Sequence, residues 1–98
     1  MRWVQVVWLE AGLTDEPVII YSELAEDGYE QRRVEVYVNG RELWANESGG
    51  TVPGGLAEKP VGELEEIRAA STEEAVFVAL SITEGEFEHR WVEARSAT

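Results

Sequence analysis

Apolar and polar residues alternate along the first half of the chain, a period-two pattern that predicts β-strands. Residues 2–10 form the first predicted strand, and both of its faces are largely apolar, which is typical of a central strand covered on both sides. A second strand is predicted over residues 18–24, and a third begins near Tyr29 after the turn residues Glu26-Asp27-Gly28. Because the links between these strands are short, we expect an antiparallel meander.

The third strand continues into a predicted β-hairpin. Val34, Val36 and Val38 alternate with charged or aromatic residues up to Asn39-Gly40, and a shorter return strand follows over residues 41–46. Asn-Gly supplies the two positive-φ residues of a type I′ turn. We therefore expect a two-residue hairpin loop at this position.

Helical patterns follow residue 60. Residues 61–70 carry apolar side chains at three-residue spacing and predict a short amphipathic helix. Residues 75–82 are compatible with either a helix or a strand, and their β-branched and aromatic content favours the strand. A final helix is expected over about residues 84–95, because Thr83 and Glu86 form a capping box and apolar side chains recur at helical spacing at Phe87, Trp91 and Ala94.

These elements predict a single α+β domain over residues 1–98. Its antiparallel meander sheet should have about four to five strands, with the C-terminal helix and the short second helix packed on one face. The segment over about residues 47–60 contains four Gly and two Pro and is expected to be a flexible connection.

The charge balance narrows the choice of partner. The chain carries 20 acidic and 8 basic side chains, for a net charge of −12. This balance argues against nucleic acid and anionic membranes, because both bind proteins through positive charge. A basic protein partner would be attracted instead, although a high net charge also serves solubility alone.

The absence of cysteines, of a signal peptide and of a membrane span in the sequence indicates the expected cellular compartment. With no Cys, the chain can form neither a disulfide nor a thiolate metal site. Its first ten residues lack the apolar core of a signal peptide, and no run approaches the roughly 20 apolar residues of a membrane span. We therefore expect a cytoplasmic protein, either a monomer or a homodimer.

Candidate binding residues lie on the hairpin strands and the last helix. Glu30 and Arg32 share the parity of the valines on the third strand, whereas Arg33 and Glu35 share the opposite face with Tyr37. These charges form either a recognition patch or ordinary cross-strand pairs. The candidate binding set is Glu23, Glu30, Arg33, Glu35, Tyr37, Trp44, Glu84 and Glu88.

Catalytic chemistry is not predicted. A single His and no Cys provide too few parts for a catalytic triad or a zinc site. The glycine-rich segment lacks the phosphate-binding Gly-Lys pattern, and the acidic runs lack the register of a calcium loop. We therefore expect no catalytic residue, metal or cofactor, and a protein that is not an enzyme.

Motifs spread over nearly the whole chain carry a resemblance to a known family. They are the opening Met-Arg-Trp-Val-Gln-Val-Val-Trp, Glu16-Pro17, Tyr21-Ser22-Glu23-Leu24, Asp27-Gly28-Tyr29-Glu30, Arg32-Arg33-Val34-Glu35, Asn39-Gly40, Leu64-Glu65-Glu66-Ile67, Ile82-Thr83, Glu86-Phe87 and Trp91. With them the chain resembles a family of small bacterial proteins, common in actinobacteria, that is classed as a domain of unknown function. The resemblance implies a fold and no activity.

The expected function is a non-catalytic interaction domain whose acidic surface binds a basic protein partner. Immunity proteins of bacterial toxins are one example of such small acidic proteins, by analogy alone. One alternative is a small-molecule binding module that uses Trp44 and the tyrosines of the hairpin. Another is a structural domain with no specific ligand.

Overall fold

The fold is an antiparallel sheet with two helices, as the computed structural model of residues 1–8, 17–69 and 77–96 describes it. The α+β class is confirmed. The sheet has six strands rather than four to five, because the glycine-rich segment contributes a two-residue strand. The elements are β1 (Arg2–Trp8), β2 (Pro17–Leu24), β3 (Glu30–Tyr37), β4 (Glu42–Asn46), β5 (Gly49–Gly50), α1 (Leu64–Ala69), β6 (Phe77–Ser81) and α2 (Glu84–Ser96).

The strands follow the predicted meander. Their order across the sheet is β5-β4-β3-β2-β1-β6, and each described neighbour pair is antiparallel. The last strand, β6, adds to the free edge of β1, so β1 is a central strand as its two apolar faces predicted. The extended interpretation of residues 75–82 is confirmed for β6, while residues 75 and 76 lie outside the described residues.

The β2–β3 and β3–β4 turns each contain one positive-φ glycine, Gly28 and Gly40. In the β3–β4 turn the N–H of Gly40 donates to the Tyr37 carbonyl and the N–H of Tyr37 donates to the Arg41 carbonyl, both at 2.9 Å. Gly40 has φ +86° whereas Asn39 does not have a positive φ, so the type I′ prediction is wrong. The loop is a three-residue turn with a glycine bulge, in which Val38 is 55% exposed instead of lying on the valine face.

The hydrophobic core lies between α2 and one face of the sheet, here called the front face. Strand residues Tyr21 and Val34 are buried there against the predicted helix stripe of Phe87, Trp91 and Ala94. The capping box is confirmed, because the Glu86 N–H donates to the Thr83 hydroxyl at 3.1 Å. This cap fixes the first turn of α2, so that the apolar stripe of the helix faces the sheet.

The other face, here called the back face, is partly covered by the segment predicted as a flexible connection. Two N–H groups of this segment, those of Thr51 and Val52, donate to the Trp44 carbonyl, and the Val52 side chain is buried. Further along, the Val61 N–H donates to the Gly28 carbonyl at 2.8 Å. These contacts hold the segment against the sheet, so the glycines serve close approach as well as connection.

The two helices do not pack side by side. Among the described elements, α1 packs against the edge strand β6, and the Arg68 guanidinium donates to the Ala79 carbonyl at 2.6 and 3.1 Å. By contrast, α2 lies over β1 to β4. The helix predicted over residues 61–70 begins only at Leu64, because residues 61 to 63 are used to reach the sheet. No described helix is long and apolar enough to cross a membrane.

Truncating the core tryptophan should test the packing of α2. Trp91 is 6% exposed and packs between Phe87, on which it stacks, and Trp44, which it meets edge-on, with ring centroids 6.4 and 5.5 Å away. Trp91→Ala should lower the free energy of unfolding by about 3–5 kcal/mol, because it removes buried area and leaves a cavity. Chemical denaturation measures this change, and a loss below about 1 kcal/mol would contradict the packing described.

The two turn glycines offer a matched pair of substitutions. Gly28 and Gly40 have nearly the same φ, +87° and +86°, so alanine is strained equally at both, by about 1–2 kcal/mol. A Cβ at Gly28 would lie 2.9 Å from the Val61 carbonyl oxygen, whereas a Cβ at Gly40 meets nothing within 4 Å. Gly28→Ala should therefore cost about 1–3 kcal/mol more than Gly40→Ala in denaturant unfolding. Equal losses would mean that residues 60 and 61 are not held against this turn.

Candidate functional site

The predicted polar constellation is divided between the two faces of the sheet. A register shift between β2 and β3 sets Glu23 opposite Arg32 but Leu24 opposite Glu30. This β-bulge moves Glu30 to the back face, although strict alternation had grouped it with Arg32 and the valines. The result is two separate ion-pair clusters rather than one patch.

The front-face cluster centres on Arg32. Its guanidinium donates to both carboxylate oxygens of Glu23, at 2.6 and 2.8 Å, and also to the Glu88 carboxylate on α2. The Trp3 indole N–H donates to Glu23 at 3.0 Å. The cation also lies over the rings of Phe87 and Trp91, 5.0 and 5.1 Å from their centroids. This cluster ties the first half of α2 to β2 and β3.

The charge state of this cluster follows from its hydrogen bonds. The Arg32 guanidinium holds the pKa of Glu23 below its ordinary value, against the opposing effect of burial, and the Trp3 N–H assists. The same contacts, with Glu23 first and Glu88 second, raise the pKa of Arg32 further above its already high value. Glu23 is thus held in its charged form as the partner of Arg32 near neutral pH.

The back-face cluster is formed by Glu30, Arg33, Glu35 and Tyr37. Arg33 donates to Glu35 at 2.8 Å and to Glu30 at 3.4 Å, and the Tyr37 hydroxyl donates to Glu35 at 2.7 Å. Glu30 and Glu35 are 5% and 6% exposed, which makes them internal carboxylates. Burial, followed by the hydrogen bond to Glu35, raises the pKa of Tyr37 to about 12.

Glu30 also holds the covering segment in place. Its carboxylate accepts hydrogen bonds from the Ser22 hydroxyl at 2.6 Å and from the Ala57 N–H at 2.9 Å. A carboxylate with several donors can be buried without a large cost because its lone pairs are satisfied. The back-face cluster is therefore the polar anchor between the sheet and residues 51–61.

Most of the predicted binding set lies inside the fold. Glu23, Glu30, Glu35 and Tyr37 are buried, and Arg33 is partly buried between carboxylates. Trp44 is half-buried against Trp91, with the Arg95 guanidinium over its ring. Glu88 is half-buried and pairs with Arg32, whereas Glu84 is exposed at the start of α2. Arg32, which the set omits, is the residue that joins Glu23 to Glu88.

Exposed carboxylates gather instead at one end of the sheet, here called the acidic end. The β2–β3 turn, the β4–β5 turn and the starts of both helices meet there, as the pairing of Arg2 with Leu24 and of Arg32 with Asn46 places them. The Arg2–Glu63 ion pair and the hydrogen bond from the Ile82 N–H to the Trp3 carbonyl fix the two helix starts at this end. Its exposed acidic residues include Glu26, Asp27, Glu47, Glu58, Glu63, Glu84 and Glu86.

Few cations balance the acidic end. Arg2, Lys59 and the Met1 amine lie near it, and Arg2 is already paired with Glu63 at 3.0 Å. Three other arginines hold their guanidinium groups over aromatic rings farther along the sheet or at its opposite end. They are Arg41 over Tyr37, Arg90 over Tyr21 and Arg95 over Trp44, at 4.9, 5.3 and 4.9 Å from the ring centroids.

The part of the chain that the structure describes holds neither a metal-binding cluster at this end nor a pair of free convergent carboxylates in its depression. No group of three or more His, Asp or Glu side chains there could hold a metal ion. Glu23 lines an open depression of about 330 Å³ together with Glu47. Both Glu23 oxygens are already occupied by Arg32 and Trp3, so the depression does not hold two free convergent carboxylates.

A family model matches residues 2–96, almost the entire chain. The chain belongs to the family DUF6881, a domain of unknown function. The resemblance of the sequence motifs to a domain of unknown function is therefore confirmed. No curated protein and no solved structure matches the chain. The assignment therefore supplies a family and leaves the site to be argued from its geometry.

Replacing Glu23 should change how stability depends on pH. The folded-state pKa of Glu23 lies below the unfolded value of about 4.5, so its stabilising contribution is complete above that pH and is lost as the pH falls below it. Glu23→Gln should be less stable than the wild type at pH 7, and this deficit should shrink below pH 4.5. Urea midpoints over a pH series measure the effect, with the exposed Glu26→Gln as the control. A deficit independent of pH would contradict the pairing with Arg32.

Proposed function

We propose that this domain is a non-catalytic, cytoplasmic interaction domain that binds a basic protein partner through its acidic end. The observation that carries the proposal is the imbalance at that end, where the exposed carboxylates outnumber the nearby cations, Arg2, Lys59 and the Met1 amine. A surface of one sign steers an oppositely charged partner into contact and raises the encounter rate.

The internal ion pairs support this choice of surface. Glu23, Glu30 and Glu35 are neutralised by arginines or hydrogen-bond donors of the same chain, so they are not available to a partner. The exposed carboxylates of the turns are different. Glu26 and Glu47 lie at the tips of the β2–β3 and β4–β5 turns, where an approaching protein would meet them first. Immunity proteins of bacterial toxins illustrate this mode of binding by analogy.

The contacts of the hairpin aromatics weigh against the alternative function, a small-molecule site built from Trp44 and the hairpin tyrosines. Tyr37 is 5% exposed and donates its hydroxyl to Glu35, and Trp44 packs edge-on against Trp91. Such rings support the fold rather than offer a flat platform to a ligand. If the domain is purely structural and has no ligand, no protein should require the acidic end for binding. The following test distinguishes this alternative from the proposal.

The test compares two double variants with the same net charge. Glu26→Gln with Glu47→Gln removes two negative charges from the acidic end, and Val38→Lys with Ser96→Lys adds two positive charges elsewhere. Both change the net charge from −12 to −10, and all four sites are exposed. Affinity capture from a cell lysate at low salt, with wild type and both variants in parallel, identifies proteins retained by the wild type.

We expect a basic protein that the control variant also retains and the acidic-end variant releases. With that protein purified, stopped-flow mixing should give an association rate that falls about threefold or more in the acidic-end variant and declines with ionic strength. An acidic partner, or one that binds both variants equally, would contradict the proposal.

A further inference from the structure

The β2–β3 turn at the acidic end carries an exposed aromatic side chain. Tyr29 is 44% exposed, whereas the other two tyrosines of the chain, Tyr21 and Tyr37, are 4% and 5% exposed. Those two rings are buried within the fold and have little surface left for another molecule. Tyr29 is therefore the one tyrosine whose ring a partner can reach without disturbing the fold.

The Tyr29 ring also lacks the cation that the other two tyrosine rings have. The guanidinium of Arg90 lies over Tyr21 and that of Arg41 lies over Tyr37, at 5.3 and 4.9 Å from the ring centroids. Among the described residues, none places a cation or a second ring against Tyr29, and its hydroxyl forms no hydrogen bond with them. This aromatic face is therefore unoccupied by the rest of the described fold.

The turn holds this ring and its acidic neighbours in a defined arrangement. The Ala25 N–H donates to the Tyr29 carbonyl and the Gly28 N–H donates to the Ala25 carbonyl, both at 2.9 Å. The Tyr29 N–H in turn donates to the Asp27 carboxylate at 3.1 Å. The Val61 N–H donates to the Gly28 carbonyl and ties the turn to the covering segment. A partner would therefore meet a turn that is already ordered, which lowers the entropy cost of binding.

The front-face cluster shows which cation suits a ring beside a carboxylate. Arg32 lies over the Phe87 and Trp91 rings while its N–H groups donate to Glu23 and Glu88. A guanidinium fits this combination because its flat face stacks on a ring and its N–H groups pair with carboxylates, whereas a lysine ammonium is compact and strongly hydrated. The β2–β3 turn offers the same two kinds of contact at the surface.

We propose that the basic partner presents an arginine whose guanidinium stacks on the Tyr29 ring and pairs with the exposed carboxylates of the same turn, Glu26 and Asp27. This inference rests on the proposed function, because it specifies the residue type that the acidic end recognises. Negative charge alone attracts arginine and lysine alike, whereas an aromatic face favours the guanidinium. Tyr29 is thus the specificity-determining residue of this surface.

Two peptides of equal charge separate stacking from charge attraction. Acetyl-Gly-Arg-Gly-Arg-Gly amide and its analogue with lysine at both basic positions are titrated into the full chain at low ionic strength. NMR follows the ring signals of the three tyrosines and the side-chain CH₂ protons of each peptide. Tyr29→Leu removes the aromatic ring, and Tyr29→Phe keeps it as the matched control. Neither substitution changes the net charge.

The arginine peptide should bind the wild type about two- to threefold more tightly than the lysine peptide. The Tyr29 ring signals should shift during the titration, whereas those of the buried Tyr21 and Tyr37 should not. The arginine CH₂ protons next to the guanidinium should move upfield, because protons above an aromatic face are shielded by its ring current. The preference for arginine should persist in Tyr29→Phe and disappear in Tyr29→Leu.

The double variant Glu26→Gln with Glu47→Gln separates this inference from the proposed function. It should weaken the binding of both peptides, because it removes negative charge and leaves the ring in place. If it does so while the wild type shows no preference for arginine, or while Tyr29→Leu keeps that preference, the inference is overturned and the proposed function stands. If both peptides bind the double variant as tightly as the wild type, the proposed function fails together with the inference.

Discussion

The guanidinium of Arg32 is the constraint on which the arrangement of the layers depends. An arginine cannot lose its proton in a protein, so placing it under a helix requires counter-charges that are fixed in position. Glu23 supplies one from the sheet and Glu88 supplies the other from α2, while the Phe87 and Trp91 rings flank the cation. Removing Arg32 would leave two carboxylates facing each other at the interface. The cluster therefore links α2 to the sheet at a defined position.

A single bulge gives each face of the sheet its own polar anchor. Because the register shifts between Glu23 and Leu24, the carboxylate of Glu30 emerges beside Arg33 rather than beside Arg32. The front-face cluster then holds α2, and the back-face cluster holds the segment that includes Ala57. One extra residue in β3 thus converts a run of alternating charges into two attachments on opposite sides of the sheet.

Local patterns predicted the elements of this fold better than they predicted the site. Alternation, the capping box and the Phe87–Trp91 stripe act within a few residues, so they specify strands and α2 directly. No such local pattern predicts the bulge. The sequence around Glu30 looks like uninterrupted alternation, and the register shift is decided by pairing with β2. The prediction of a type I′ turn at Asn39-Gly40 was also wrong. The bulged three-residue loop needs a positive φ at its glycine alone, so the same dipeptide fits both turn types. Pairing of Arg32 with Glu88, 56 residues apart, requires the tertiary fold.

The concentration of acidic residues at one end has two separable physical origins. Carboxylates at the starts of helices, such as Glu84 and Glu86, interact favourably with the helix dipole and the free N–H groups, so stability alone accounts for them. The turn carboxylates Glu26 and Glu47 have no such role, because they lie outside the helices and are exposed. They add to the repulsion at the acidic end, and neither makes an ion pair with the described residues. A function for this surface must therefore be sought in the turn residues, where negative charge is not explained by helix stability.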